Sequence, residues 1–324
     1  MQNTPPQGLF SLRHRRAIIL SLSLVALVYL LVVLVTGADA AWQVFSRLGP
    51  ADWLLLLSCS FGNYLLRFVR WQYFLRRAGW RLPLRLHLAY YLAGFALTTT
   101  PGKAGETIRS VLLRPHGIPY PTSLACFFSE RLLDVVVVAL LAALTTLAFS
   151  ADQNFIFILL GLAFIVFLLL HSPWPLHILE YLQRRLHSKR LQRGLGHLHQ
   201  LVHDARNFLT LQPLALGLLL GIAAWSLQGY AFYYLLQVIG FEMQLPLAMG
   251  IYAISLLAGA VSMIPGGIGA TEAAMAIMLA AAGADTHVAV VVPVINRLST
   301  LWFAVAVGLL AAGWLAANRR LSTD

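Results

Sequence analysis

Residues 100–134 read TPGKAGETIRSVLLRPHGIPYPTSLACFFSERLLD and set Lys103, Glu106, Arg109, Glu130, Arg131 and Asp134 inside otherwise apolar sequence. A second stretch, 265–300, reads PGGIGATEAAMAIMLAAAGADTHVAVVVPVINRLST and echoes the first. Glu106 and Glu272, Gly117 and Gly283, and Arg131 and Arg297 are each 166 positions apart. The Pro-Gly pairs, Pro101-Gly102 and Pro265-Gly266, fall two positions out of that register because Ala270-Thr271 is extra in the second copy. We read the two copies as halves of one site.

The surrounding composition decides the class. Of 324 residues, 59% are hydrophobic and only 11% charged, far from the average soluble chain. The runs Ala17–Val35, Trp53–Leu66, Val135–Phe149, Phe155–Leu170 and Leu214–Leu236 approach the length that crosses about 30 Å of hydrocarbon. The expectation is an all-α, polytopic membrane protein. No polar linker divides it, so residues 17–316 read as one membrane domain between short cytoplasmic tails, 1–16 and 317–324. The formal charge of +11 does not imply nucleic acid, because the arginines flank apolar spans where a positive-inside bias is expected. Cys59 and Cys126 are far apart in apolar sequence, which favours buried small hydrophobes over a disulfide or metal pair.

Loop charge orients the chain. Residues 37–52 carry one basic residue, Arg47, and are placed outside, whereas Arg67, Arg70, Arg76, Arg77, Arg81 and Arg85 mark a cytoplasmic segment after the second span. Residues 150–154 and 240–245 carry no Lys or Arg, and 184–206 and 319–320 are basic. Both termini are thus expected in the cytoplasm. Ala38-Asp39-Ala40 resembles a signal-peptide cleavage site, but the preceding apolar run is long for one, so a retained first helix is favoured. Two apolar stretches, 86–113 and 247–282, are interrupted at Pro-Gly; the arms of the first are short for spans, and the first arm of the second is nearly long enough. We expect about six full spans and two re-entrant helical hairpins, with four spanning arms as the alternative. Three crossings would separate Glu106 from Glu272, which makes the halves (86–149 and 247–316) an inverted-topology repeat with a midplane site at broken helices.

Residues 176–210 place Leu179, Leu182, Leu186, Leu195, Leu198, Val202, Ala205 and Leu209 at helical spacing among Arg, Lys and His. That pattern predicts an interfacial amphipathic helix, whole or broken near Gly194 and Gly196. His199 and His203 are four apart, but no carboxylate or Cys stands at ligand spacing. A solvated face is the preferred reading, and no metal or other cofactor is expected.

A charge at mid-membrane costs about 2.5–3.5 kcal/mol. Lys103, Glu106, Arg109, Glu130, Arg131, Asp134, Glu272 and Arg297 must therefore pair or face water, and their signs balance. Structural ion pairs are one reading, and a polar cavity for a charged headgroup or ion is the one favoured. Helices starting near Ala104 and Gly269 would aim N–H groups and a positive dipole end into the membrane. Gly102, Gly105, Gly266, Gly267 and Gly269 would let the backbone approach an anion, and Pro101 and Pro265 would break the arms. Glu106 and Glu272, in the first turns, would cap the empty site, or take a proton or cationic group. Arg67 and Arg70 are placed at the cytoplasmic mouth. Pro101-Gly-Lys103 lacks the GxxxxGK[ST] frame, Gly266-Gly-Ile-Gly269 lacks GxGxxG, and neither HExxH nor GxSxG occurs.

Arg67-x-x-Arg70-Trp71, Pro101-Gly-Lys-Ala-Gly-Glu106, Glu130-Arg131-x-x-Asp134 and Pro265-Gly-Gly-Ile-Gly-Ala-Thr-Glu272, in that order, carry a resemblance. The chain resembles the membrane region of lysylphosphatidylglycerol synthases and their stand-alone, flippase-like relatives over roughly residues 17–316. The resemblance implies a lipid-translocating domain of the bacterial cytoplasmic membrane. No soluble aminoacyl-transferase segment lies between the last span and Asp324, so aminoacyl transfer is not expected. The leading expectation is a lipid flippase for anionic or zwitterionic headgroups, not an enzyme. A lipid-presenting partner of a lipid-synthesis enzyme is the runner-up, and an intramembrane transferase using the acid cluster as base is the third reading.

Overall fold

The computed structural model describes residues 38–100, 105–144, 154–185 and 188–318, whose regular structure is all helix, with no strand among them. The first apolar run, the signal-like Ala38 motif's upstream sequence, the Pro101–Ala104 break, the Ser150 turn and Arg319–Arg320 lie outside the described residues. A short helix α1 (Ala38–Ser46) leads into α2 (Pro50–Arg77). The Asp52 carboxylate accepts the Gly49 N–H at 2.7 Å, and Pro50 opens the first turn where its missing donor costs nothing. Helix α2 then runs for 28 residues, about 42 Å.

Next come α3 (Leu84–Ala93), a tight 3-10 turn at Gly94–Leu97, and the short α4 (Ile108–Leu113). Gly117, at φ 81°, reverses the chain into α5 (Tyr120–Ala142). Helices α6 (Asn154–His171), α7 (Trp174–Arg185) and α8 (Lys189–Phe208) follow. Helix α9 (Leu211–Ile239) has 29 residues and ends on left-handed Gly240. Then α10 (Leu245–Val261), a break at Pro265–Gly267, and α11 (Ala270–Ala281) form the second interrupted element. Gly283, at φ 91°, turns the chain into α12 (Thr286–Arg297), which continues through a π-helical turn at Leu298–Trp302 into α13 (Phe303–Ala317).

Among the described residues two helices, Leu211–Ile239 and Thr286–Ala317, are long and apolar enough to cross a membrane, and α6 with α7 adds a third if that bent pair counts as one. Helix α2 carries five Asp or Arg side chains along its length, and α5 carries Glu130, Arg131 and Asp134. Their length is adequate, but these charges lower their mean hydropathy. Helix α10 has 17 residues, about 25 Å, which falls short of ~30 Å of hydrocarbon.

Packing follows a crossed pattern. Helix α2 lies along α9, α5 packs on α8 and α10, and α13 packs on α3 and its 3-10 turn. One apolar cluster gathers Val137, Phe232, Leu236, Ile251, Met275 and Val292, drawn from α5, α9, α10, α11 and α12. A second gathers Trp71, Phe74, Tyr91, Leu113, Cys126 and Phe208, and also takes in Ala304 and Leu315 of α13. The α13 crossing requires a glycine: a Cβ at Gly308 would collide with the backbone of Phe95 and Ala96. At one end, Tyr234 donates to Asp52 at 2.6 Å, and Arg47 donates to the Ile239 carbonyl, which ties α9 to the start of α2.

The described part of residues 176–210 is helical as expected, and Gly194 and Gly196 do not break it, since both lie inside α8. It docks through polar contacts: Thr122 of α5 donates to Asp204 at 2.6 Å and accepts from Gln200. His199 meets Glu180 at 3.3 Å, and His203 meets Asp204 at 3.6 Å.

Candidate functional site: a charged cavity between the interrupted helices

A cavity of about 310 Å³ lies between the two clusters. Its walls come from α2, the 3-10 turn after α3, α5, α9, α10, the Pro265–Gly267 break and the π-helical turn. Phe95, Val135, Val138, Leu256, Leu257 and Leu301 make much of the wall apolar, while Arg67, Glu106, Arg131, Asp134 and Arg297 bring charge to it. At the α10 end, Ala260 and Ile264 line the cavity, and the adjoining Val261 and Met263 are exposed.

The charges form one chain of alternating sign. Glu106, fully buried, accepts from Thr98 Oγ1 and Arg109 Nη2, each at 2.8 Å. Arg109 also stands 3.7 Å from Glu130 and lies 4.0 Å over the Tyr91 ring. Glu130 meets Arg70 at 3.5 Å, and Arg70 donates to Asp134 at 2.7 Å and to the Gly217 carbonyl. Asp134 is shared: Arg131 approaches at 3.0 Å, Arg67 at 3.6 Å, and the Trp225 indole donates at 3.1 Å. Neighbouring small residues make room. A Cβ at Gly94 would strike the Arg109 side chain, and one at Gly221 would come within 3.1 Å of Arg70 Nη1.

Across the cavity the group around Glu272 and Arg297 is simpler. Glu272 caps its own helix, accepting the Gly269 N–H at 2.7 Å, and its other oxygen receives Arg297 Nε at 2.9 Å. Arg297 also donates to the Gly266 carbonyl and so pins the break, where Gly266, Gly267 and Gly269 all have positive φ. The reason for the asymmetry is in the sequence. Positions 166 beyond Arg109 and Asp134 are Met275 and Thr300, which leaves Glu272 and Arg297 only each other.

The expected charged residues that are described fall into these two groups, with two corrections. Arg67 and Arg70 are not at a mouth: α2 continues to Arg77, so both are buried, Arg67 on the cavity wall and Arg70 behind it. Arg109 and Glu130 are buried behind the wall as well, and do not line the cavity. At the α11 N-terminus Glu272 takes the cap N–H, which is the capping arrangement expected of it. Gly105 sits against Leu97 and Thr100 so closely that a Cβ would clash with both. Pro101, Gly102 and Lys103 lie outside the described residues.

Sequence reasoning missed the uncharged lining: Asn63, Tyr64, Thr98, Trp225, Gln228 and Tyr252. For α2 the signal was present, since Ser60, Asn63, Tyr64, Arg67, Arg70 and Trp71 recur at three- and four-residue spacing and are all buried. Gln228 and Trp225 offered only a spacing of three on an apolar helix.

The chain is similar to known membrane proteins over most of its length. The family model described as the lysylphosphatidylglycerol synthase TM region matches residues 18–308. A UPF0104 membrane protein from Methanothermobacter thermautotrophicus is 22% identical, over 95% of this chain and 97% of the relative. Another, from Pyrococcus horikoshii, is 22% identical over 78% of this chain and 83% of its own length. With a match that runs through both interrupted elements and every charged residue of the cavity, the chain belongs to the lysylphosphatidylglycerol synthase transmembrane-region family.

Proposed function

We propose that this membrane protein moves a phospholipid or related polar lipid between leaflets, acting as a transporter rather than an enzyme. The observation that carries the reading is the cavity itself: a buried bank of ions faces apolar walls and leads to the exposed apolar residues Val261, Met263 and Ile264. A free ion needs no apolar rim, and a hydrocarbon needs no ion bank. An amphiphile uses both, with its headgroup against Arg67, Arg131, Asp134 and Glu106 and its acyl chains left in lipid.

The same reading takes the halves as an inverted-topology repeat with two re-entrant hairpins in one membrane domain, 17–316. Several features support it. Helices α2 and α9 have 28 and 29 residues, and Tyr120 and Thr286, 166 apart, begin the helices that follow left-handed Gly117 and Gly283. The packing of α13 on α3 is matched by that of α5 on α10. Halves so related exchange access between two faces by rocking about a fixed site. Six spans, cytoplasmic termini and a bacterial inner membrane belong to this proposal, resting on the loop-charge bias.

The test is leaflet transfer of labelled phospholipids in liposomes holding the purified protein, wild type beside Glu106→Gln. We expect transfer by wild type and its loss in the variant. Absence of transfer with anionic and zwitterionic lipids alike, from folded protein, would refute transport and favour a lipid-presenting partner of a synthesis enzyme.

A further inference from the structure

The buried arginines are not equivalent. Arg70 uses all three of its nitrogens, on Glu130, Gly217 and Asp134. Arg297 is committed to Glu272 and Gly266. Arg109 keeps donors unused but lies off the cavity, packed among Tyr91, Phe95 and Trp71. Arg67 and Arg131 differ from these. Both line the cavity, and in each, Nε is buried without a hydrogen-bond partner among the described residues; Arg67 Nη2 makes no hydrogen bond either, whereas Arg131 Nη2 is ion-paired with Asp134 at 3.0 Å. Arg67 is 4% exposed, and its nearest carboxylate oxygen is 3.6 Å away, beyond good hydrogen-bond length.

Leaving such donors empty is costly for a charged group. Yet the Arg67 guanidinium is held in place, 5.8 Å from the Phe95 ring and 5.6 Å from the Trp225 ring. The two rings fix the fork without using its N–H groups. Gln228 adds an unpartnered Oε1 on the same wall, 2% exposed, able to accept from a hydroxyl. Within the α2–α4–α5 network, Arg67, Arg70, Arg109 and Arg131 face Glu106, Glu130 and Asp134. Four cations against three anions leaves one positive charge in excess among the described residues.

We propose that Arg67 and Arg131 form a subsite for a singly charged oxyanion of the phosphodiester type, with Arg67 as the principal grip. A diester carries one negative charge and two unesterified oxygens, which matches one excess charge and the paired N–H groups of a guanidinium. Arg70 and Arg109 hold the subsite's shape and do not touch the ligand. This deepens the transport reading and rests on it for the lipid, whereas the oxyanion chemistry stands on the geometry alone.

The test is binding to the purified full chain, followed by Trp225 fluorescence, with Trp225→Phe identifying that signal. The probes are dihexanoyl phosphatidylglycerol, soluble glycerophosphocholine, inorganic phosphate and dihexanoylglycerol, which has no phosphate. We expect the phosphodiester lipid to bind and Arg67→Gln to weaken it about tenfold to a hundredfold. Binding of dihexanoylglycerol should be unaffected by that change. Glycerophosphocholine or phosphate binding with the same sensitivity assigns the subsite to free phosphate compounds as well, and lipid-only binding assigns it to lipid. Arg67→Lys keeps the charge but loses the fork, so a fall of about tenfold is expected, and it carries the test if the Gln variant does not fold. Unchanged affinity in the folded variants, or a wild type that binds no phosphate probe, overturns the proposal. Phosphodiester binding without leaflet transfer would sink transport and leave the subsite standing. Transfer that survives Arg67→Gln would do the reverse.

Discussion

Arg70 separates support from function in this ion bank. Its side chain is fully buried, bonded at 2.7 Å to Asp134 and at 3.5 Å to Glu130. Replacing it by Met keeps comparable length but leaves Glu130 with Arg109 alone, at 3.7 Å, and strips Asp134 of its shortest contact. Breaking a buried pair from one side costs about 3–5 kcal/mol, because a desolvated charge remains. That is a large share of the roughly 5–15 kcal/mol that holds a typical fold. On a chain of this size the melting midpoint should fall by about 5–15 °C. The assay is thermal unfolding in detergent, with folded protein quantified by size exclusion after heating. Arg70→Met with Asp134→Leu removes the orphaned partner too, so the double variant should be more stable than the sum of the single losses by about 0.5–3 kcal/mol. An Arg70→Met protein that melts within about 2 °C of wild type, less than 1 kcal/mol on the same scale, would refute the view of Arg70 as a strut.

Three further outcomes follow from the packing. Gly308→Val should abolish recovery of monodisperse protein, since its side chain would enter the backbone of Phe95 and Ala96; normal yield and melting would show that α13 can shift away. Glu272→Gln should weaken the hold of Arg297 on the Pro265–Gly267 break, raising amide hydrogen exchange at Gly266–Gly269 more than in α12; unchanged exchange would remove the pinning role. Cys126, buried in the second apolar cluster, should resist maleimide until the protein is denatured, whereas partly exposed Cys59 should label first; reversed order would contradict the packing of α5 against α2.

What the sequence determined by itself was the class and the chemistry. An apolar chain with few charges must place those charges where they pair or meet water, so Glu106, Arg109, Glu130, Arg131, Asp134, Glu272 and Arg297 were legible as one set. Gly117 and Gly283, picked out by the 166-residue spacing, both turn the chain at positive φ. Tertiary structure decided the division of labour. Whether an arginine near the end of an apolar run lies in water depends on how far its helix continues, and α2 carries Arg67 and Arg70 past the predicted end into the packed interior. Which carboxylate each meets, and which guanidinium keeps free N–H groups toward the cavity, depends on how α5 crosses α2 and α9 brings Trp225 alongside. Local spacing cannot encode those crossings, because they are set by side chains far apart in the chain that share one wall.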